Sequence, residues 1–292
     1  MRLGIVVSDP EDWTAKSLAQ AFSDIGAETL ILNLSKLCAT IGGDLAFREG
    51  ESDLLSLDAI VVRDMGRGPP QEVAFRYQAL TSLQEAGQMI VNSPEAILRA
   101  ANKFATTVAL QRAGVPTPET TVTSSLDEAV KAVERYGKAV SKPLFGYKGR
   151  DLALIEAEDT TPLKKILARS GVIYLQEFIG SARPRDIRAF VVGDDLVGAI
   201  YRVAPPGEWI SNLARGGRAE ICPISEELED LAIRANRAVG TLYSGVDLLE
   251  TPEGPMVIEV NGTPSGKGIF SCHGIDVGKR IAREVVSLLS QL

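Results

Sequence analysis

Residues 245–264 constrain the fold more tightly than any other stretch. Gly245 to Glu250 and Met256 to Asn261 are two mainly apolar runs, separated by Thr251-Pro252-Glu253-Gly254-Pro255. Apolar runs flanking a Pro/Gly turn signal predict a β-hairpin with its loop over 251–255. That register sets Asp247 opposite Glu259. Side chains alternate along a strand, so Glu259 and Asn261 should share one face while Ile258 and Val260 point to the other. Two carboxylates and an amide oxygen then converge within apolar strands, where an uncompensated cluster would be costly to bury. A cation is the usual remedy, and an all-oxygen donor set favours magnesium or manganese over zinc. The competing reading is a set of polar strand ends facing water.

Composition narrows what this hairpin can serve. The single histidine, His273, leaves little room for Ser-His-Asp or Cys-His catalysis or for a histidine-rich metal centre. Cys38, Cys222 and Cys272 are scattered and odd in number, which suits buried thiols in a reducing cytoplasm better than a disulfide framework. No apolar run approaches the roughly 18 residues needed to cross a bilayer, so no membrane partner is expected. A net charge of −7 disfavours nucleic-acid binding by the surface at large. An anionic ligand must therefore be met by particular Lys and Arg side chains.

At 292 residues and 45% apolar, the chain should build two or three cores. Leu3–Ser8, Ala27–Asn33, Ala59–Arg63 and Met89–Val91 read as strands, with helices over Trp13–Ile25 and Glu72–Glu85 between them. This alternation predicts a small parallel sheet over 1–95, Rossmann-like but without the Gly-x-Gly-x-x-Gly turn of a dinucleotide site. Ser93-Pro94-Glu95 resembles a helix start, and a domain boundary is placed near 93–103. Lys138–Lys142, the loop Phe145–Arg150 and Leu152–Ile155 read as strand, Gly-containing loop, strand. That order disfavours a Walker-type loop, which leads into a helix. The expected divisions are 1–95, 96–179 and 180–292.

Lys103, Lys142, Lys148 or Arg150, and Arg188 stand at element ends. A lysine beside a Gly-rich loop suits phosphate oxygens, because ammonium and backbone N–H groups can point at one anion. Magnesium held by two carboxylates normally completes its shell with nucleotide phosphates and water. Together these groups predict an ATP site.

Asn102-Lys103, Lys142-Pro143, the loop 145–150, Gln176-Glu177-Phe178-Ile179, Asp186-Ile187-Arg188, Ser211-Asn212 with Arg215-Gly216-Gly217, Asp247 and Glu259-Val260-Asn261 occur in an order that resembles the ATP-grasp ligases. Within them the chain is similar to the branch containing the ribosomal-protein glutamate ligase RimK. The resemblance implies an α/β fold, α+β in its C-terminal part, with a Rossmann-like domain followed by a two-subdomain ATP-grasp fold. It implies that Lys103 and Lys142 bind ATP phosphates under the loop carrying Gly146, Lys148 and Gly149. Backbone groups of Glu177 and Phe178 would meet adenine, Asp186 would sit by the ribose, and Ser211 and Asn212 would join the nucleotide set. Asp247, Glu259 and Asn261 would hold two Mg2+ or Mn2+ ions. Arg188, Arg202 and Arg215 are the candidates for the transferred phosphoryl group and substrate carboxylates.

The implied activity is carboxylate–amine ligation through an acyl phosphate, adding L-glutamate or a similar amino acid to a protein C-terminus or a small coenzyme, in a cytoplasmic homo-oligomer. Ile210 stands where ribosomal members tend to carry a basic residue, and Tyr147, Lys148 and Gly262–Gly268 also differ from them. Ligases of tetrahydromethanopterin, of the deazaflavin coenzyme or of an amino-group carrier are equally compatible. A kinase-like enzyme stopping at phosphoryl transfer and a non-catalytic nucleotide-binding regulator are the rivals from other classes. Lys267, just beyond the hairpin, is a further candidate for a substrate carboxylate.

Overall fold

The computed structural model describes residues 1–43, 45–146 and 149–291. The N-terminal part opens with β1 (Arg2–Val6), α1 (Trp13–Asp24) and β2 (Glu28–Leu32). A small antiparallel meander follows, β3 (Leu37–Thr40), β4 (Ala46–Glu49) and β5 (Ser52–Asp53), which the sequence pattern does not announce. The chain returns through β6 (Ala59–Val62), α2 (Pro70–Glu85) and β7 (Met89–Val91), and the main sheet runs β2-β1-β6-β7 with every pairing parallel. Two helices then meet head to tail, α3 (Pro94–Ala101) and α4 (Lys103–Arg112). Ser93 caps α3 by accepting from Ala96 N, with Pro94 in the first turn, as the sequence predicts. Asn102 ends α3 in an extended conformation and caps α4 through its side-chain oxygen, accepting from Phe104 N and Ala105 N.

The central sheet is built from β8 (Thr120–Thr123), α5 (Leu126–Tyr136), β9 (Lys138–Lys142), β10 (Ala153–Glu156), α6 (Thr161–Ser170) and β11 (Ile173–Glu177), in the order β10-β9-β11-β8. The third sheet comprises β12 (Arg185–Val192), β13 (Asp195–Val203) and β14 (Arg218–Ile221), then, after α7 (Glu226–Val239), β15 (Tyr243–Thr251) and β16 (Gly254–Asn261). Its order is β14-β13-β12-β15-β16, antiparallel throughout. Two closing helices follow, α8 (Lys267–His273) and α9 (Val277–Leu289). No helix among the described residues is long and apolar enough to cross a membrane.

The 245–264 hairpin forms, with a different turn from the one expected. β15 continues to Thr251, which pairs with Gly254, so the reversal needs only Pro252 and Glu253. This tighter turn moves the pairing near it by one residue. A β-bulge between Asp247 and Leu248 restores the register: Leu248 faces Val257, Ile258 is the surplus residue, and Asp247 faces Glu259. The core face is therefore Val257 and Val260 rather than Ile258 and Val260. These two valines pack with Val246 and Leu248 against Leu228, Leu231, Ala235 and Val239 of α7. Each Val and Leu among them contributes about 1.5–3 kcal/mol by leaving water.

A second core crosses the molecule. Leu3 and Ile5 of β1 and Leu18 and Phe22 of α1 share it with Phe190, Tyr243 and Ile269, and with Ile281 and Val285 of α9. The last helix thus closes over the first sheet, and both β1 and β12 lean on the same apolar mass.

Candidate active site

Residues from the central sheet, the third sheet and the α3–α4 junction meet at the open end of the hairpin. Lys103 is the first residue of α4, and its backbone N–H donates to Leu144 O at 3.0 Å, which pins the start of the Gly-rich loop to the α3–α4 junction. The Lys103 ammonium is buried and lies 2.7 Å from Glu259 Oε1. Lys142 ends β9 and donates to Gln176 Oε1 on the adjacent β11 at 2.7 Å. Burial pushes the Lys142 amine down to about 8, against the attraction of Glu259 and with the help of Lys103. Gln176 is held in turn by Thr120 and Tyr174.

The third sheet carries a continuous buried chain of charges. Asp186 on β12 pairs in register with Arg202 on β13, and Arg188 with Asp247 on β15. Arg202 grips Asp186 with two bonds of 2.6 Å, from Nε to Oδ1 and from Nη2 to Oδ2. The same Nη2 lies 2.9 Å from Asp247 Oδ2. Arg188 forks onto both oxygens of Asp247, and Ser211 Oγ donates to Asp186 Oδ2 at 2.7 Å. Burial opposes the charge on Arg202, but Asp186 and Asp247 outweigh it and hold the guanidinium above its ordinary value. Burial likewise disfavours the Asp247 carboxylate, and Arg188 and Arg202 overcome this and keep it below the usual carboxylate range.

The hairpin sets Asp247 opposite Glu259 and Gly245 opposite Asn261. Asn261 Nδ2 donates to Gly245 O at 3.3 Å and approaches Asp247 Oδ2 at 3.5 Å. Among the described residues no three His, Cys, Asp or Glu side chains gather as a metal site; the third donor here is an amide. Two carboxylates and an amide suit magnesium. Each carboxylate is meanwhile neutralised by a side-chain cation, Asp247 by Arg188 and Arg202 and Glu259 by Lys103.

The Gly-rich loop is fitted to this group. A Cβ on Gly146 would stand 2.9 Å from Pro143 Cγ and 3.5 Å from Lys103 Nζ. Gly149 has φ +67, and a Cβ there would run into the Asn212 amide oxygen. Arg215 donates to Gly149 O at 2.9 Å, so it ties the loop to the 211–217 segment. Lys148, with Tyr147 beside it, lies outside the described residues.

At the expected adenine edge, Glu177 N donates to Glu119 O and Phe178 N to Lys138 O. Both of these N–H groups are thus already paired within the fold. The Phe178 ring meets Trp209 edge-on at 6.0 Å with Lys138 Nζ 5.3 Å from its centroid. A cleft of about 690 Å3 opens beside this pair, lined in part by Arg183, Pro184, Pro205 and Arg218. Its lining includes none of the candidate metal ligands. Asp186, expected beside the ribose, and Arg202, expected at a substrate, are paired with one another, and Asp186 also accepts from Ser211 while Arg202 also meets Asp247.

Gln176 carries more of this arrangement than its sequence context suggests, and outside the charged group Arg63 and Asn92 secure the segment that follows Asn261. Arg63 follows four buried residues of β6, and Asn92 follows β7. A polar side chain directly after a wholly apolar strand is the signal that could have found both.

A family model for the RimK-like ATP-grasp domain matches residues 100–285. The chain is 41% identical, over 323 aligned positions covering 99% of both chains, to the tetrahydromethanopterin:α-L-glutamate ligase of Methanosarcina acetivorans. It is 34% identical to the ligase of that name from Methanococcus maripaludis, with 98% of each covered. Among solved structures, the ATP-grasp ligase PsnB complexed with a phosphomimetic variant of its minimal precursor, Mg and ADP is similar in fold, with a TM-score of 0.78 at 19% identity and 98% of each chain covered.

Proposed function

Because the chain belongs to the RimK-like ATP-grasp family, we propose that it joins L-glutamate to a carboxylate of tetrahydromethanopterin by way of an acyl phosphate. The chain is an ATP-dependent ligase that forms amide bonds. The choice of acceptor and amino acid rests on one observation, the 41% identity held over 99% of both chains to a ligase of that acceptor.

A carboxylate is a poor electrophile at neutral pH. Its oxygen attacks the γ-phosphorus of ATP, the bond to the β-phosphate oxygen breaks, and ADP leaves. The amine of glutamate then attacks the acyl carbon, the bond to phosphate breaks, and a proton is lost from nitrogen. Both steps depend on position and charge rather than on a side-chain nucleophile, which fits a chain with one histidine. Lys103 and Lys142 bind phosphate oxygens in this reading. Lys103 exchanges Glu259 for phosphate, and Lys142 exchanges a neutral amide for an anion. Asp247, Glu259 and Asn261 would hold two Mg2+ or Mn2+ ions, which when bound neutralise the β- and γ-phosphate oxygens. Arg188, the partly exposed end of the charge chain, is the group available to the transferred phosphoryl. Arg202 and Asp186 keep Arg188 and Asp247 in place, and Arg215 with Gly149 draws the loop over the site and keeps water from the acyl phosphate.

The test is product analysis. With MgATP, tetrahydromethanopterin and L-glutamate, the purified chain should release ADP and phosphate and yield an acceptor heavier by one or more glutamyl residues. ADP release without the amine would favour a kinase. Glutamylation of a deazaflavin coenzyme, a carrier protein or a ribosomal-protein C-terminus, with none of the pterin, would replace the acceptor. Absence of nucleotide turnover with every acceptor would reject the ligase.

A further inference from the structure

The segment that leads from Asn261 into α8 is held by the N-terminal sheet, a part of the molecule to which no candidate nucleotide ligand belongs. Arg63 is the centre of that hold. It directly follows β6, is 3% exposed, and its guanidinium points away from its own sheet. Nη2 donates to Pro264 O at 2.8 Å and to Thr263 O at 3.4 Å. Nη1 donates to the Tyr243 hydroxyl at 3.2 Å, and Nε meets Asp12 Oδ1 at 3.3 Å. Burial disfavours the charge, and Tyr243 and Asp12 more than offset it.

Two further contacts bracket the same segment. Gly266 N donates to Thr14 Oγ1 at 2.9 Å, and Thr14 is wholly buried. Asn92 Nδ2 donates to Gly262 O at 2.6 Å and to Tyr243 O at 2.8 Å. The segment is also pressed from the site side: a Cβ on Gly245 would stand 2.9 Å from Pro264 Cβ and 3.0 Å from Arg188 Cδ. Gly245 is the register partner of Asn261. Held this way, the segment turns Ser265 and Lys267 outward within a few residues of a candidate metal ligand.

An irregular stretch has no ladder to fix it, so its backbone groups must be fixed one at a time. A planar guanidinium can fix two successive carbonyls at once, which a flexible ammonium cannot do as well. If Arg63 served only to join the N-terminal sheet to β15, the bonds to Tyr243 and Asp12 would suffice. Its remaining donors are aimed at the connection out of the metal hairpin. We propose that Arg63 and Thr14 are positioning residues that hold residues 263–266 so that Lys267 and Ser265 present a cationic, hydrogen-bonding edge to the anionic end of the acceptor. The N-terminal sheet thereby governs acceptor binding and leaves nucleotide binding untouched. This rests on the ligase reading above.

The experiment compares Arg63→Met, Arg63→Lys and Thr14→Val in the full chain with the wild type. For Arg63→Met, KM for tetrahydromethanopterin should rise about tenfold or more, with KM for ATP within about twofold. Arg63→Lys should recover part of the loss, and Thr14→Val, which keeps shape and removes one acceptor, should give a smaller rise of the same kind. Hydrogen exchange should quicken in peptides covering 262–268 and stay unchanged in those covering 185–203, and calorimetric affinity for MgADP should not move. Parallel losses for ATP and acceptor, a general rise in exchange, or no change in the three variants would each overturn the proposal. Should the wild type fail to glutamylate any acceptor, the ligase reading falls, while exchange and MgADP affinity still decide whether Arg63 acts on 262–268 alone.

Discussion

The third sheet and the central sheet bring charge to the same site in opposite ways. In the third sheet, Asp186, Arg202, Asp247 and Arg188, joined by Ser211 from the segment between β13 and β14, form an alternating chain in which each buried charge already has its counter-charge. In the central sheet, Lys142 donates to the neutral Gln176 oxygen, with no ion pair among the described residues, and burial drives its amine down to about 8. One side is a finished platform whose charges fix geometry. The other holds a charge that, in the proposed reading, an ATP phosphate would complete. Lys103 stands between the two, paired with Glu259 across the hairpin.

The contrast can be broken first on the platform. Arg202→Met should leave Asp186 and Asp247 buried without a shared partner, lowering stability by about 3–5 kcal/mol as read from urea denaturation. A loss under about 1 kcal/mol would mean that water reaches the pair and that the platform is not closed. Next, Glu259→Ala should reduce ADP formation roughly 100-fold, since several kcal/mol of charge stabilisation is removed, with the fold largely intact by circular dichroism. Full activity would refute its place among the metal ligands.

The smallest effect concerns Lys142 and pH. Its folded pKa of about 8 lies below the ordinary 10.5, so the unfolded chain binds more protons between those values. Stability from this group therefore rises as pH goes from about 8 towards 10.5. Phosphate binding needs the protonated form. Affinity for MgADP should accordingly fall about tenfold between pH 7 and 9, and Lys142→Met should lose both the fall in affinity and the gain in stability. A pH-independent affinity in the wild type would show that Lys142 keeps its proton and resembles the paired cations of the platform.

What could be read from the sequence divides along physical lines. The parallel N-terminal sheet, the α3 start at Ser93-Pro94 and the opposition of Asp247 to Glu259 follow from local patterns of apolar spacing and turn residues. The bulge at Ile258 does not, because Val257 and Ile258 are both apolar and the sequence alone favours neither for the core face. The types of the site residues were legible as charges at element ends, but their partners were not. Asp186 meets Arg202 only through β12–β13 pairing, and the depressed Lys142 depends on burial between sheets. The strands β3 to β5, β8 and β14 are short and mixed in composition, with too few residues to establish a period. The packing of α9 against α1, from the other end of the chain, is a tertiary fact.

The surplus residue has a geometric consequence. With Ile258 left out, Leu248 would still face Val257 and Asp247 would still face Glu259, so the bulge contributes nothing to which residues are neighbours. Its effect is rotation, because a bulged strand coils more sharply than its partner. The hairpin thus settles adjacency by pairing and direction by torsion, and the angle at which the two carboxylates look out from the sheet is stored in a residue that takes no part in the chemistry.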